Sequence, residues 1–139
     1  MGTNTGINFV QVSLTELDFK LNKNFKLSGK GIPVDLDLKQ KNSYSSDKKT
    51  LNVLLTASLF SKTKKRPFTM KVSVEGIFVS NDPKELKKFS KVHAPAHLIP
   101  FIRESIGTTT MKANIPPLLL PPFNISTLFK TSKSKKQSD

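Results

Sequence analysis

A chain of 139 residues, 36% hydrophobic and 24% charged, suits one soluble domain built on one core and leaves no length for a second. It has no cysteine, which excludes a disulfide framework, a thiolate metal site and a cysteine nucleophile, while a formal net charge of +13 points to acidic or polyanionic partners. No basic segment leading into an apolar one opens the chain, and no apolar run is long enough to span a bilayer, so the expectation is a cytoplasmic protein without membrane insertion.

Residues 1–8 are read as a flexible N-terminus. From Phe9, the apolar residues Val10, Val12 and Leu14 alternate with polar ones, and then parity switches to Leu17, Phe19 and Leu21. Such a switch within one extended run predicts a bulge near Thr15 and Glu16. A second strand is expected where Val34, Leu36 and Leu38 face one way and Asp35, Asp37 and Lys39 the other, with Gln40 to Thr50 as a solvated turn. In a third strand Leu51, Val53, Leu55, Ala57 and Leu59 share a face. Ser61 to Pro67 forms a hairpin tip, and the fourth strand turns Phe68, Met70, Val72 and Val74 inward.

Helical signals follow. Asp82, Pro83 and Glu85 have the order of a cap, a first helical residue and a first-turn acid. Pro95 and Pro100 predict the boundary of a second, longer helix near Ala94. On a helical wheel Leu98, Ile99, Phe101, Ile102 and Ile106 make a wide apolar arc with small Ser105 and Thr109 inside it, suited to covering the sheet alone or to packing on another helix as well. Residues 114–123 hold four prolines and almost nothing polar, so they are extended, either as a lid or as an apolar surface offered to something else. Asn124 caps a short last helix through Phe129. The domain spans residues 9–130, and 131–139 form a disordered basic tail.

Catalytic constellations are absent. His93 and His97 are four apart, but no motif places a third ligand, so no metal is expected. Asp35 and Asp37 alternate with apolar residues and read as solvated carboxylates. No phosphate loop, nucleotide fingerprint or nucleophile triad occurs, so neither an enzyme nor a cofactor is expected. Lys62, Lys64, Lys65 and Arg66, with the tail lysines Lys130, Lys133, Lys135 and Lys136, leave nonspecific nucleic-acid or polyanion binding as an alternative function. With only Arg66 and Arg103 to supply guanidinium forks, base-specific reading is not indicated.

Three pieces stand in register: Val74-Glu75-Gly76-Ile77-Phe78, then Ala94-Pro95-Ala96-His97-Leu98-Ile99-Pro100-Phe101-Ile102-Arg103-Glu104-Ser105-Ile106, then Ile115-Pro116-Pro117-Leu118-Leu119-Leu120-Pro121-Pro122-Phe123-Asn124. In order and spacing this stretch resembles the SecB export-chaperone family. The resemblance implies an α+β fold, a four-stranded antiparallel sheet with helices packed on one face, assembled as a dimer of dimers. It implies an ATP-independent holdase that binds unfolded or nascent polypeptides in extended apolar grooves, for export or for control of a toxin-antitoxin pair. Carried over by motif position, Phe78, Ile115, Leu118, Leu120 and Phe123 would form the client groove and lid, and Leu98, Phe101, Ile102, Ser105 and Ile106 the interface of a homotetramer. Two departures stand out: the family's Cys- and His-rich zinc tail is missing, and Lys71 lies on the sheet face where the family presents acids to the SecA motor. SecA docking is therefore in doubt, and an antitoxin client is the other option.

Overall fold

The structure, a computed structural model, describes residues 6–26 and 35–115. Apolar residues at alternate positions, Leu51 to Leu59 and Phe68 to Val74, make β3 (Thr50–Leu59) and β4 (Phe68–Ser80) the centre of a four-stranded antiparallel sheet. They are flanked by β1 (Ile7–Leu21) and β2 (Leu36–Tyr44) in the order β1-β4-β3-β2. The last three strands form a meander, and β1 lies against β4 by a long connection, a Greek-key arrangement that leaves β1 and β2 as edges. One helix, α1 (Pro83–Lys112), covers the face formed by Leu51, Val53, Leu55, Ala57, Val72, Val74 and Phe78. The helix expected after Asn124 lies outside the described residues.

β1 carries two bulges. Register shifts fall between Leu14 and Glu16, where the parity switch places one, and between Phe9 and Gln11, where the alternation of Val10, Val12 and Leu14 conceals another. Val10 is thus the extra residue, and Phe9 rather than Val10 stands opposite Phe78 on the core side. At the second bulge Thr15 Oγ1 donates to the Ser73 carbonyl (3.2 Å), and Thr56 Oγ1 lies 2.8 Å from Ser73 Oγ, so the outward sheet face is tied by hydroxyls.

β2 is longer than its hydropathy indicates. Gln40 to Tyr44, expected as turn, pair with Leu51 to Leu55. The turn is confined to residues 45–49. Gln40, Asn42 and Tyr44 continue the core-side row, where Gln40 Nε2 donates to the Ser90 carbonyl (2.8 Å) and the Tyr44 hydroxyl to Ser90 Oγ (3.2 Å). Hydrogen bonds to α1 take the place of apolar burial there.

The helix boundary expected near Ala94 does not exist. α1 runs unbroken through Pro95 and Pro100 to Lys112, capped at its start by Asp82, whose carboxylate accepts from the Lys84 amide at 3.0 Å. Each internal proline removes a backbone bond at a cost of about 3 kcal/mol. Burial at every fourth position, Leu86, Ser90, Ala94, Leu98, Ile102, Ile106 and Thr110, offsets this, since a fully buried leucine or isoleucine contributes about 1.5–3 kcal/mol. A spacing of four overshoots the helical turn by about 40° per step, so the buried row winds around α1 along the i±4 ridge.

Candidate functional site

Six β1 residues share the core side of the sheet: Phe9, Val12, Leu14, Leu17, Phe19 and Leu21 stand opposite Phe78, Gly76, Val74, Val72, Met70 and Phe68. The two bulges keep all six on one side. α1 lies over β4 and β3 and barely reaches β1, so among the described residues much of this row has no cover. Leu14 is 53% exposed, Leu17 46% and Phe9 38%. The result is an apolar strip along an edge strand, about 33 Å long at roughly 3.3 Å per residue over the paired span from Phe78 to Phe68. Isolated exposed leucines are ordinary, but a continuous row marks a binding surface.

One end of the strip is aromatic. Phe9 stacks on Phe78 (centroids 4.8 Å apart), Phe78 meets Phe89 edge-on at 5.0 Å, and Phe101 approaches Phe9 at 6.4 Å. His97 packs against Phe9 and Phe89, and His93 stacks on Phe89. The His97 Nδ1 is 2.8 Å from the His93 carbonyl, which can only accept, so this nitrogen carries the proton. The two imidazoles extend an aromatic wall, and among the described residues no group of three or more His, Cys, Asp or Glu gathers to hold a metal ion.

The residues expected at the groove separate. Phe78 is fully enclosed by its neighbours, and Phe9 is the ring that reaches the surface. Ile115 is half-buried and closes a Schellman motif: its amide donates to the Thr110 carbonyl (3.1 Å), Asn114 takes a left-handed φ of 60°, and its amide donates to the Met111 carbonyl (3.0 Å). Leu118, Leu120 and Phe123 lie outside the described residues. Of the residues expected at an interface, Leu98, Ile102 and Ile106 are spent on the chain's own sheet, Ser105 is half-buried, and Phe101 faces outward. The outward side of the second half of α1 is made instead by Phe101, Glu104, Gly107, Thr108 and Met111. Phe9, Phe89 and Gly107 escaped the sequence reading. The Phe9-Val10 doublet was the available signal for the first.

On the opposite sheet face Lys71 Nζ lies 3.6 Å from Glu16 Oε1, an exposed ion pair of small energetic weight. Asp35 is no free carboxylate either. Its Oδ2 accepts from the Lys62 amide (3.1 Å) and from Thr63 Oγ1 (3.0 Å), fastening the β3–β4 loop. Among the described residues no helix is long and apolar enough to cross a membrane.

A Greek-key sheet capped by one long helix, with an apolar strip on its edge strand that the described residues leave largely uncovered, defines a sheet-and-helix protein that offers an extended apolar surface. The family model described as preprotein translocase subunit SecB matches residues 22–136, and the chain belongs to the SecB family. An uncharacterised protein of Methanocaldococcus jannaschii, MJ0357, is 26% identical over 136 residues, which are 96% of this chain and 82% of that protein. The protein-export protein SecB of Chromobacterium violaceum is 35% identical over 89 residues, 63% of this chain. That match spans 57% of the relative, so the chain aligns with little more than half of its length. In fold the chain is similar to the Rv1957 SecB-like chaperone of Mycobacterium tuberculosis, solved in complex with a ChAD peptide from the Rv1956 HigA1 antitoxin. The TM-score is 0.70 at 17% identity, covering 87% of this chain and 93% of that one.

Proposed function

We propose that this protein is an ATP-independent chaperone that holds unfolded polypeptides on extended apolar surfaces, and that the row from Phe9 to Leu21 is part of that surface. The observation that carries the reading is the strip that the described residues leave exposed, with Leu14 and Leu17 at its middle. Apolar burial at roughly 25 cal/mol per Å² needs no particular client sequence, and many shallow contacts along an extended chain add up by avidity. The solved SecB-like relative holds a peptide, which supports an extended polypeptide as the ligand class.

In this reading residues 115–123 leave α1 at Ile115, and Leu118, Leu120 and Phe123 form a lid over the groove. Edge strand β1 has one side without a partner strand among the described residues, and pairing it with a second copy would bring two apolar rows side by side. Packing through Phe101, Gly107 and Thr108 would close two such dimers into a tetramer. Clients are export precursors or an antitoxin. The Lys71–Glu16 pair works against SecA docking, because it neutralises an acid on the outward sheet face.

Light scattering from a chemically unfolded model protein tests the reading. Near-stoichiometric chain should suppress aggregation, and Leu14→Asp with Leu17→Asp should weaken suppression while circular dichroism shows an intact sheet. Wild-type protein that leaves scattering unchanged overturns it.

A further inference from the structure

Two basic segments some forty residues apart in sequence meet at one end of the sheet. The Asn22 amide donates to the Pro67 carbonyl (2.9 Å), and its side-chain Nδ2 donates to the Arg66 carbonyl (2.9 Å). This lashes the end of β1, with Lys20, Lys23 and Lys26, to the β3–β4 loop, with Lys62, Lys64 and Lys65. All six lysines are exposed. The loop beneath them is built, not loose: Asp35 holds the Lys62 amide and Thr63 hydroxyl, and Arg66 Nη1 donates to the Phe60 carbonyl (3.2 Å). The nearby acids are Asp35, whose Oδ2 is occupied by those two donors, and Asp18 and Asp37, further into the sheet.

We propose that this end of the sheet docks the phosphate backbone of a nucleic acid, without reading its bases. The proposal is independent of client holding, since the apolar strip takes no part in it. Six flexible ammonium groups in one place match a polyanion whose duplex form carries about one charge per 1.7 Å. Lysine supplies point charges, and Arg66, the one arginine present, has its Nη1 on the Phe60 carbonyl, which holds its fork against the loop and disfavours bidentate base recognition here. A lipid surface is disfavoured because the loop's large apolar residues, Phe60 and Phe68, are fully buried, and Leu21, the exposed apolar residue between Lys20 and Lys23, stands on the core side of the sheet opposite Phe68.

The test uses the full chain and a fluorescent single-stranded oligonucleotide of about 16 nucleotides, followed by anisotropy as salt rises. If about six phosphates are engaged, the logarithm of affinity falls with a slope near −4 against the logarithm of salt, about a 300-fold loss between roughly 50 and 200 mM. Replacing the six lysines by serine should reduce that loss to below about tenfold. Replacing Lys84, Lys87, Lys88 and Lys91, exposed lysines of α1, should change affinity by less than about threefold. Melting curves confirm that each variant is folded. The proposal is overturned by absence of binding at low salt, or by equal losses in both variants, which would mean diffuse attraction to net charge. It is also overturned if poly-glutamate or anionic vesicles compete as well as unlabelled oligonucleotide at equal charge, which would identify an acidic polypeptide or a lipid surface as the partner.

Discussion

Leu98 occupies the space that a side chain on Gly76 would need: a β-carbon built at Gly76 falls 2.6 Å from Leu98 Cδ2 and 3.1 Å from Phe78 Cε1. The glycine lets α1 lie directly on β4, and Leu98 is fully buried in a close-packed interior, so moving it aside disturbs its neighbours. Gly76→Ala should therefore cost about 1–3 kcal/mol by overpacking. Leu98→Ala alone should cost about 2–5 kcal/mol by leaving a cavity. The double variant should cost less than the sum, because each change relieves the other. Urea melts of the three variants check this, and strict additivity would mean that the contact is not the constraint.

Strand content was legible because one face of β3 and β4 is apolar at every second position from Leu51 to Leu59 and from Phe68 to Val74, and Asp82-Pro83 announced the start of α1 through capping chemistry alone. The rest failed for separable reasons. Gln40 and Tyr44 hydrogen-bond to Ser90 and Asn42 accepts from Gln40, so a hydropathy reading takes these polar residues for a turn. Pro95 and Pro100 suggest a break that tertiary packing overrides, and a buried row at every fourth residue does not stay on one side of an ideal wheel. The apolar row was present in the sequence as Leu14, Leu17 and Leu21. That the described residues leave much of it uncovered follows from the strand order, which puts β1 at the edge where α1 barely reaches it, and alternation carries no information about strand order.

Asn114 ends α1 in the left-handed region, where a β-branched residue pays about 1–2 kcal/mol and glycine pays nothing. Asn114→Gly should leave stability unchanged within a few tenths of a kcal/mol, and Asn114→Val should lower it by about 1–2 kcal/mol. At Asn114 the backbone turns out of α1 to Ile115, where the proposed lid segment begins. If that segment is the lid, Asn114→Val should also weaken suppression of aggregation, at temperatures where it is still folded, while Asn114→Gly should not.

In the β2–β3 turn the Asp47 carboxylate accepts from Ser45 Oγ (2.6 Å) and from the Lys49 amide (3.0 Å), and these bonds, Ser45 first, hold its pKa below the ordinary 3.8. A depressed folded-state pKa means that the turn is favoured while Asp47 is ionised. That contribution is complete above the unfolded-state value and disappears as pH falls through the folded one. A carboxyl titration by NMR should place the Asp47 midpoint below 3.8. Asp47→Asn, which still accepts hydrogen bonds but does not titrate, should make exchange protection of the Lys49 amide insensitive to acid. A midpoint at or above the ordinary value would contradict the turn geometry.

The outward side of α1 gives the assembly its own test. Gly107 has open space around it, with nothing within 4 Å of an added β-carbon, and it lies between Phe101, Glu104, Thr108 and Met111 on the exposed face. A bare backbone at that position lets a second helix approach closely, which is how small residues serve helix packing. Within one chain, replacing Gly107 should do no harm and should even raise helix stability by up to about 1 kcal/mol, since glycine is a poor helix former. Between chains, Gly107→Trp should block the approach and lower the mass measured by multi-angle light scattering from tetramer to dimer, with β1 edge pairing retained. Smaller particles with an undiminished melting midpoint would locate the contact on this face. A wild-type monomer at micromolar concentration would remove the tetramer and the continuous groove that depends on it.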